Sequence, residues 1–109
     1  MKTQLHPEAE LELFEAVAWY EGQRVGLGED LLAEVTRWLD VVGEAPMTWP
    51  RWPGAADLEP PIRRVLTHPF PFAIGYQAFS DHVLVLAFAH TSRRPFYWAQ
   101  RAGGQQGPG

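Results

Sequence analysis

The chain contains no cysteine, which removes disulfides and thiolate metal sites from consideration and fits a reducing cytoplasm. Lysine is nearly as scarce: Lys2 is the only one, and the other eight basic residues are arginines. Long apolar runs are missing too. The longest, Val83 to Ala89, is far too short to span a bilayer. The first fifteen residues are interrupted by His6 and several glutamates, unlike a signal peptide. These shortages lead us to expect a cytoplasmic protein with no membrane partner.

Other absences narrow the chemistry. His6, His68, His82 and His90 show no metal-ligand spacing and read as turn and cap residues, so no metal or cofactor is expected. Ser80 and Ser92 lack a nucleophile-elbow context, and Gly26 and Gly28 do not follow a strand as a phosphate loop would. Glu8, Glu12 and Glu15 recur at helical spacing and read as a solvated face.

What is present is unevenly distributed. The net charge of −4 divides into −7 over residues 1–50 and +3 over residues 51–109. Arginine suits bidentate and stacked contacts, so a surface for anionic groups is expected in the second half. The length bounds a single domain, placed at 1–101, and the glycine-rich residues 102–109 read as a disordered tail.

"MKTQL" can form an edge strand, and His6-Pro7 followed by Glu8 and Glu10 is a helix start. An apolar stripe of Leu13, Phe14, Val17, Ala18 and Tyr20 predicts a helix from Pro7 to about Arg24. A second helix runs from about Glu29 to Val42, and the short connection makes the two an antiparallel hairpin. Residues 43–61 hold five of the ten prolines and form neither helix nor central strand, with Trp49 and Trp52 folding back over the core edge. Three strands follow, Ile62–His68, Phe72–Phe79 and Val83–His90, as an antiparallel meander. Phe72, Ile74 and Tyr76 take one face of the middle strand. Ala73, Gly75 and Gln77 leave the other face small. The expected fold is α+β, in the order β-α-α-β-β-β, with the hairpin on one face of a small, mainly antiparallel sheet.

The residues left to carry function are arginines and aromatics: Arg63 and Arg64, then His90, Arg93, Arg94, Tyr97 and Trp98. Without a metal, such a set can cut RNA: His90 or Tyr97 moves the proton of a 2′-hydroxyl, and Arg64 and Arg93 stabilise the charged phosphorane. The same set can equally bind a partner through Arg63, Arg64, Arg93, Arg94 and Tyr97. Pro95 to Trp98 can also simply cap the sheet.

Three stretches, "EAVAWYEGQRVGLGEDLLAEV" (15–35), "IRRVLTHPFPFAIGY" (62–76) and "VLVLAFAHTSRRPFYW" (83–98), carry a resemblance. In their order and spacing the chain resembles the RelE/ParE superfamily of toxins from type II toxin–antitoxin systems, especially the ParE-like, plasmid-stabilisation branch. The resemblance implies a growth inhibitor neutralised by a cognate antitoxin, whose segment would lie on an open sheet face at Ala73, Gly75 and Gln77. ParE-like members inhibit DNA gyrase by binding, whereas RelE-like members are metal-independent endoribonucleases acting on mRNA in the ribosome. Ribonuclease members place an arginine where this chain has Ala73, and they are usually rich in lysine. The expectation is therefore a toxin that binds gyrase or another protein. A metal-independent mRNA endoribonuclease is the alternative, and a non-toxic partner-binding member the second alternative.

Overall fold

In a computed structural model, described for residues 1–55, 57–92 and 97–104, the chain forms the expected α+β domain. The elements are β1 (Lys2–Leu5), α1 (Pro7–Gln23), α2 (Leu27–Glu44), β2 (Ile62–Leu66), β3 (Phe72–Ala78), β4 (His82–His90) and a short 3-10 helix (Ala99–Gly104). That 3-10 helix runs three residues past the boundary expected at 101. Residues 105–109 lie outside the described residues.

Local chemistry sets the helix boundaries. Pro7 opens α1 with no N–H to leave unsatisfied, and the His6 ring accepts the Glu8 N–H at Nδ1, 3.1 Å away. Near the other end of α1, one carboxylate starts the next helix. Glu21 accepts the N–H of Gly26 on Oε2 and of Gly28 on Oε1, both at 2.9 Å, so it caps the N-terminus of α2 from outside that helix. Gly26 turns the chain at φ 91°, and a Cβ on Gly28 would lie 2.7 Å from the Val17 carbonyl oxygen. The "EGQRVGLG" stretch is thus a helix-to-helix joint built on one glutamate and two glycines.

The sheet order is β1-β4-β3-β2, antiparallel throughout except that β1 runs parallel to β4 along one edge. β4 is central, as its two apolar faces require. Both helices cover one face. Leu13, Leu31, Val35 and Val42 pack there against Val65, Ile74, Tyr76 and Val85, and Phe72 stacks on Phe88 at 4.1 Å between centroids.

The opposite face is not open, which corrects the sequence expectation. Trp52 from the proline-rich segment and Trp98 from the C-terminal segment lie over it, their rings 4.8 Å apart. Ala73, Gly75 and Gln77 are buried beneath this cover, and a Cβ on Gly75 would meet Trp52 at 2.9 Å and Trp98 at 3.4 Å. These three residues offer no accessible strip on which an antitoxin segment could lie.

The proline-rich segment holds its place through main-chain groups. Trp52 donates its N–H to the Ile62 carbonyl (2.8 Å), and Arg64 donates to Pro50 (2.9 Å), so the outer edge of β2 is paired. The Tyr76 hydroxyl donates to the Pro46 carbonyl at 2.5 Å, and Gln77 Nε2 donates to Pro60 at 2.8 Å. Trp49 turns the other way and meets Trp38 edge-on, on the helix side.

Two outcomes test this packing. Gly28→Ala gains up to about 1 kcal/mol of helix propensity but drives a methyl group into a main-chain carbonyl, costing about 1–3 kcal/mol. With the full propensity gain, a net loss of up to about 2 kcal/mol is expected, read as a lower urea midpoint at unchanged slope. Burial raises the Tyr76 hydroxyl from 10.0 to about 12, with the nearby Arg63 charge opposing the shift. The neutral phenol is the form the fold holds, so its contribution is whole below pH 10 and fades as pH rises to about 12. Subtracting the alkaline absorbance titration of Tyr76→Phe from that of the parent protein should leave a transition centred near about 12.

Candidate functional site

Strand alternation decides which candidate residues can meet. Arg63 pairs with Tyr76 on the helix-side face, while Arg64 pairs with Gly75 on the face covered by Trp52 and Trp98. Neighbours in sequence, the two arginines therefore point to opposite sides of the sheet. Each is engaged with the proline-rich segment: Arg63 donates to the Trp49 carbonyl at 2.7 Å, and the Arg64 guanidinium lies 5.6 Å from the Trp52 ring centre.

His90 ends β4 opposite Phe72, hence on the helix side, with its ring edge-on to Phe72 at 5.3 Å. Arg64 is two strands away from it, roughly 10 Å, and on the other face. Ser92 donates its main-chain N–H to His90 Nδ1 at 3.1 Å, with its hydroxyl 2.8 Å from the same nitrogen. Nδ1 is thus held as an acceptor, and the neutral ring carries its proton on Nε2. That tautomer donates; it is poorly set to take a proton from a substrate hydroxyl.

Tyr97 lies elsewhere again. Its hydroxyl donates to Glu12 Oε2. Glu12, expected to be solvated, is instead the hub of a part-buried network. Its Oε1 accepts the Phe88 N–H at 3.1 Å and Arg101 Nη1 at 3.0 Å, and its Oε2 also accepts Arg101 Nη2 at 3.3 Å. The same Arg101 Nη1 donates to the Leu86 carbonyl at 3.0 Å, and Arg101 is only 7% exposed.

The reason lies in strand lengths. β1 stops at Leu5 opposite Val85 because Pro7 begins α1, whereas β4 continues to His90. A bulge between Gly75/Tyr76 and Ala87/Val85 falls at the same point. The Leu86 carbonyl and Phe88 N–H need partners there, and Arg101 and Glu12 supply them. The sequence carried a signal for Glu12, which sits between Ala9 and Ala16 on the flank of the buried stripe. Arg101 stands three residues after Trp98, one turn of a 3-10 helix.

Beside this network, α1 and the end of β4 enclose a cleft of about 420 Å³. Glu12, Glu15, Ala16, Trp19, Tyr20, Phe72, Phe88, His90 and Ser92 line it. Among the described residues, His90 is the one expected site residue that lines it. Arg93 and Arg94 lie outside the described residues. Among the described residues no group of three or more histidines and carboxylates could hold a metal ion, and no helix is long and apolar enough to cross a membrane.

Comparison of the chain with family models and with curated proteins finds no match.

The network predicts unequal losses. Arg101→Met strands a buried carboxylate and is expected to cost about 3 kcal/mol or more. Tyr97→Phe removes one hydrogen bond of several and should cost about 1–2 kcal/mol. Denaturant unfolding of the two variants checks the order; equal small losses would mean that Glu12 is solvated after all.

Proposed function

We propose that this chain is a toxin of the RelE/ParE type, inhibiting growth by binding a cellular protein such as DNA gyrase and neutralised by a cognate antitoxin. One observation carries the preference for binding over RNA cleavage: among the described residues, the candidates Arg64, His90 and Tyr97 do not converge. Arg64 stacks on Trp52 on one face of the sheet, and His90 sits on the other with Nδ1 committed to Ser92. The Tyr97 hydroxyl is engaged by Glu12. A metal-free nuclease needs a proton acceptor and a charge stabiliser within about 3 Å of one phosphate.

Charge supports the same reading. Affinity for RNA comes largely from neutralising phosphates, and a chain of net charge −4 with Lys2 as its one lysine is poorly equipped for that. The α+β architecture, with a helical hairpin on one sheet face, agrees with what the resemblance implies. With Ala73, Gly75 and Gln77 buried, α1 offers a partner exposed apolar surface: Leu11 and Phe14 are each 54% exposed and Trp19 is 60% exposed.

Induced expression is expected to arrest growth, and the purified chain to inhibit supercoiling by gyrase or to capture another protein target. His90→Ala should arrest growth as the parent does, and primer extension should show no new mRNA ends. Cuts that vanish in His90→Ala would replace this reading with the endoribonuclease. Absence of arrest at full soluble expression would leave a non-toxic partner-binding protein.

A further inference from the structure

We propose that the cleft between α1 and the end of β4 is a receptor for an arginine side chain presented by an extended segment of a partner protein. The proposal deepens the antitoxin half of the reading above and rests on it for who carries the arginine.

Four rings contribute to the walls: Trp19, Tyr20, Phe72 and Phe88. Tyr20 meets Trp19 edge-on at 5.0 Å and Phe72 at 6.2 Å, and Phe72 stacks on Phe88. Such a wall offers ring faces and edges to a flat group. Two carboxylates share the lining, and they differ in state. Glu12 is compensated, since Arg101 and Tyr97 already bind both its oxygens. Glu15, one turn further along α1, is exposed and makes no ion pair or hydrogen bond among the described residues. The other titratable groups in the wall are His90, whose Nδ1 faces Ser92, and the Tyr20 phenol. Among the described residues the cleft therefore has aromatic surface and one uncompensated negative charge.

A cation that is also planar satisfies both features. A guanidinium lies flat on an aromatic face while its N–H groups reach a carboxylate, and it is less strongly hydrated than an ammonium. Arginine thus fits better than lysine. The about 420 Å³ available exceeds what one inorganic ion needs and falls short of a folded element, but it admits a long side chain with its adjoining main chain. A peptide source is favoured by what borders the cleft. Leu11, exposed and one turn before Glu15 on the same side of α1, gives a residue next to the arginine apolar surface to meet. The −7 charge of residues 1–50 adds long-range attraction for a basic segment.

The test uses the full chain and N-acetyl-arginine N-methylamide, with the neutral citrulline analogue as its near-isostere, titrated while following the Trp19 indole N–H by NMR. The arginine derivative should shift the Trp19 resonance saturably, and the citrulline analogue should bind about tenfold more weakly, the loss expected for one charge-assisted contact with ring stacking. Glu15→Gln should weaken arginine binding about fivefold to tenfold with the thermal midpoint unchanged. Trp19→Leu, followed through the His90 ring, should weaken it by a similar factor. A heptapeptide with one central arginine and apolar flanks should bind more tightly than the amide alone. Equal binding of the citrulline analogue, indifference to Glu15→Gln, or tighter binding of tetramethylammonium than of the arginine derivative would each overturn the proposal. Toxicity is scored separately. A non-toxic chain that takes arginine keeps this inference and loses the toxin reading, and a toxic chain that ignores arginine does the reverse.

Discussion

Gly75, in the middle of β3, has the indoles of Trp52 and Trp98 lying against its bare Cα, Trp52 closer than a methyl group would permit. Much else follows from that contact. A sheet has two faces, and this chain has helices for only one. The second face would expose Ile62, Ala73, Leu84 and Leu86 unless something irregular covered it. Two large flat rings do so because β3 offers small residues beneath them. Ala73 and Gly75 are therefore a seat for side chains of the same molecule, and the absence of bulk there is filled from within.

The covering segment is fixed by groups that helix and sheet leave over. Proline has no N–H to donate, but its preceding and own carbonyls still accept. Pro46, Pro50 and Pro60 receive Tyr76, Arg64 and Gln77, and Trp49 receives Arg63. The arginines and polar side chains of β2 and β3 thus anchor a segment that has no secondary structure of its own. Engagement of this kind draws Arg63 and Arg64 away from any common patch. Their adjacency in sequence guarantees opposite directions in a strand.

Elements governed by neighbouring residues were legible from the sequence. Pro7 marks a helix start wherever it occurs with a capping residue before it, and the meander's alternation survives without any tertiary knowledge. Chain order and the centrality of β4 followed from its two apolar faces. Which irregular segment covers which face was not legible, because that depends on contacts across tens of residues. Glu12 was misread for a related reason. A glutamate on a surface helix is normally solvated. Here the mismatch between a four-residue β1 and a nine-residue β4 leaves main-chain groups that a carboxylate and a guanidinium must meet. Strand-length mismatch shows only after the strands are paired. The separation of His90 from Arg64 could have been foreseen, since strand order and alternation together place them on opposite faces.

The same mismatch shapes what the exposed end of β4 can do. Had β1 continued, its main chain would occupy the ground beside Phe88 and His90, and no cleft would exist there. Because Pro7 turns the chain into α1, that ground is bordered by a helix whose side chains reach across to the strand. Glu12 is spent on the fold, and so are Tyr97 and Arg101. Among the described residues, the aromatic wall and the Glu15 charge stay uncommitted. A surface of that composition can discriminate a ligand by shape and charge, which is what the proposed reception of an arginine side chain requires.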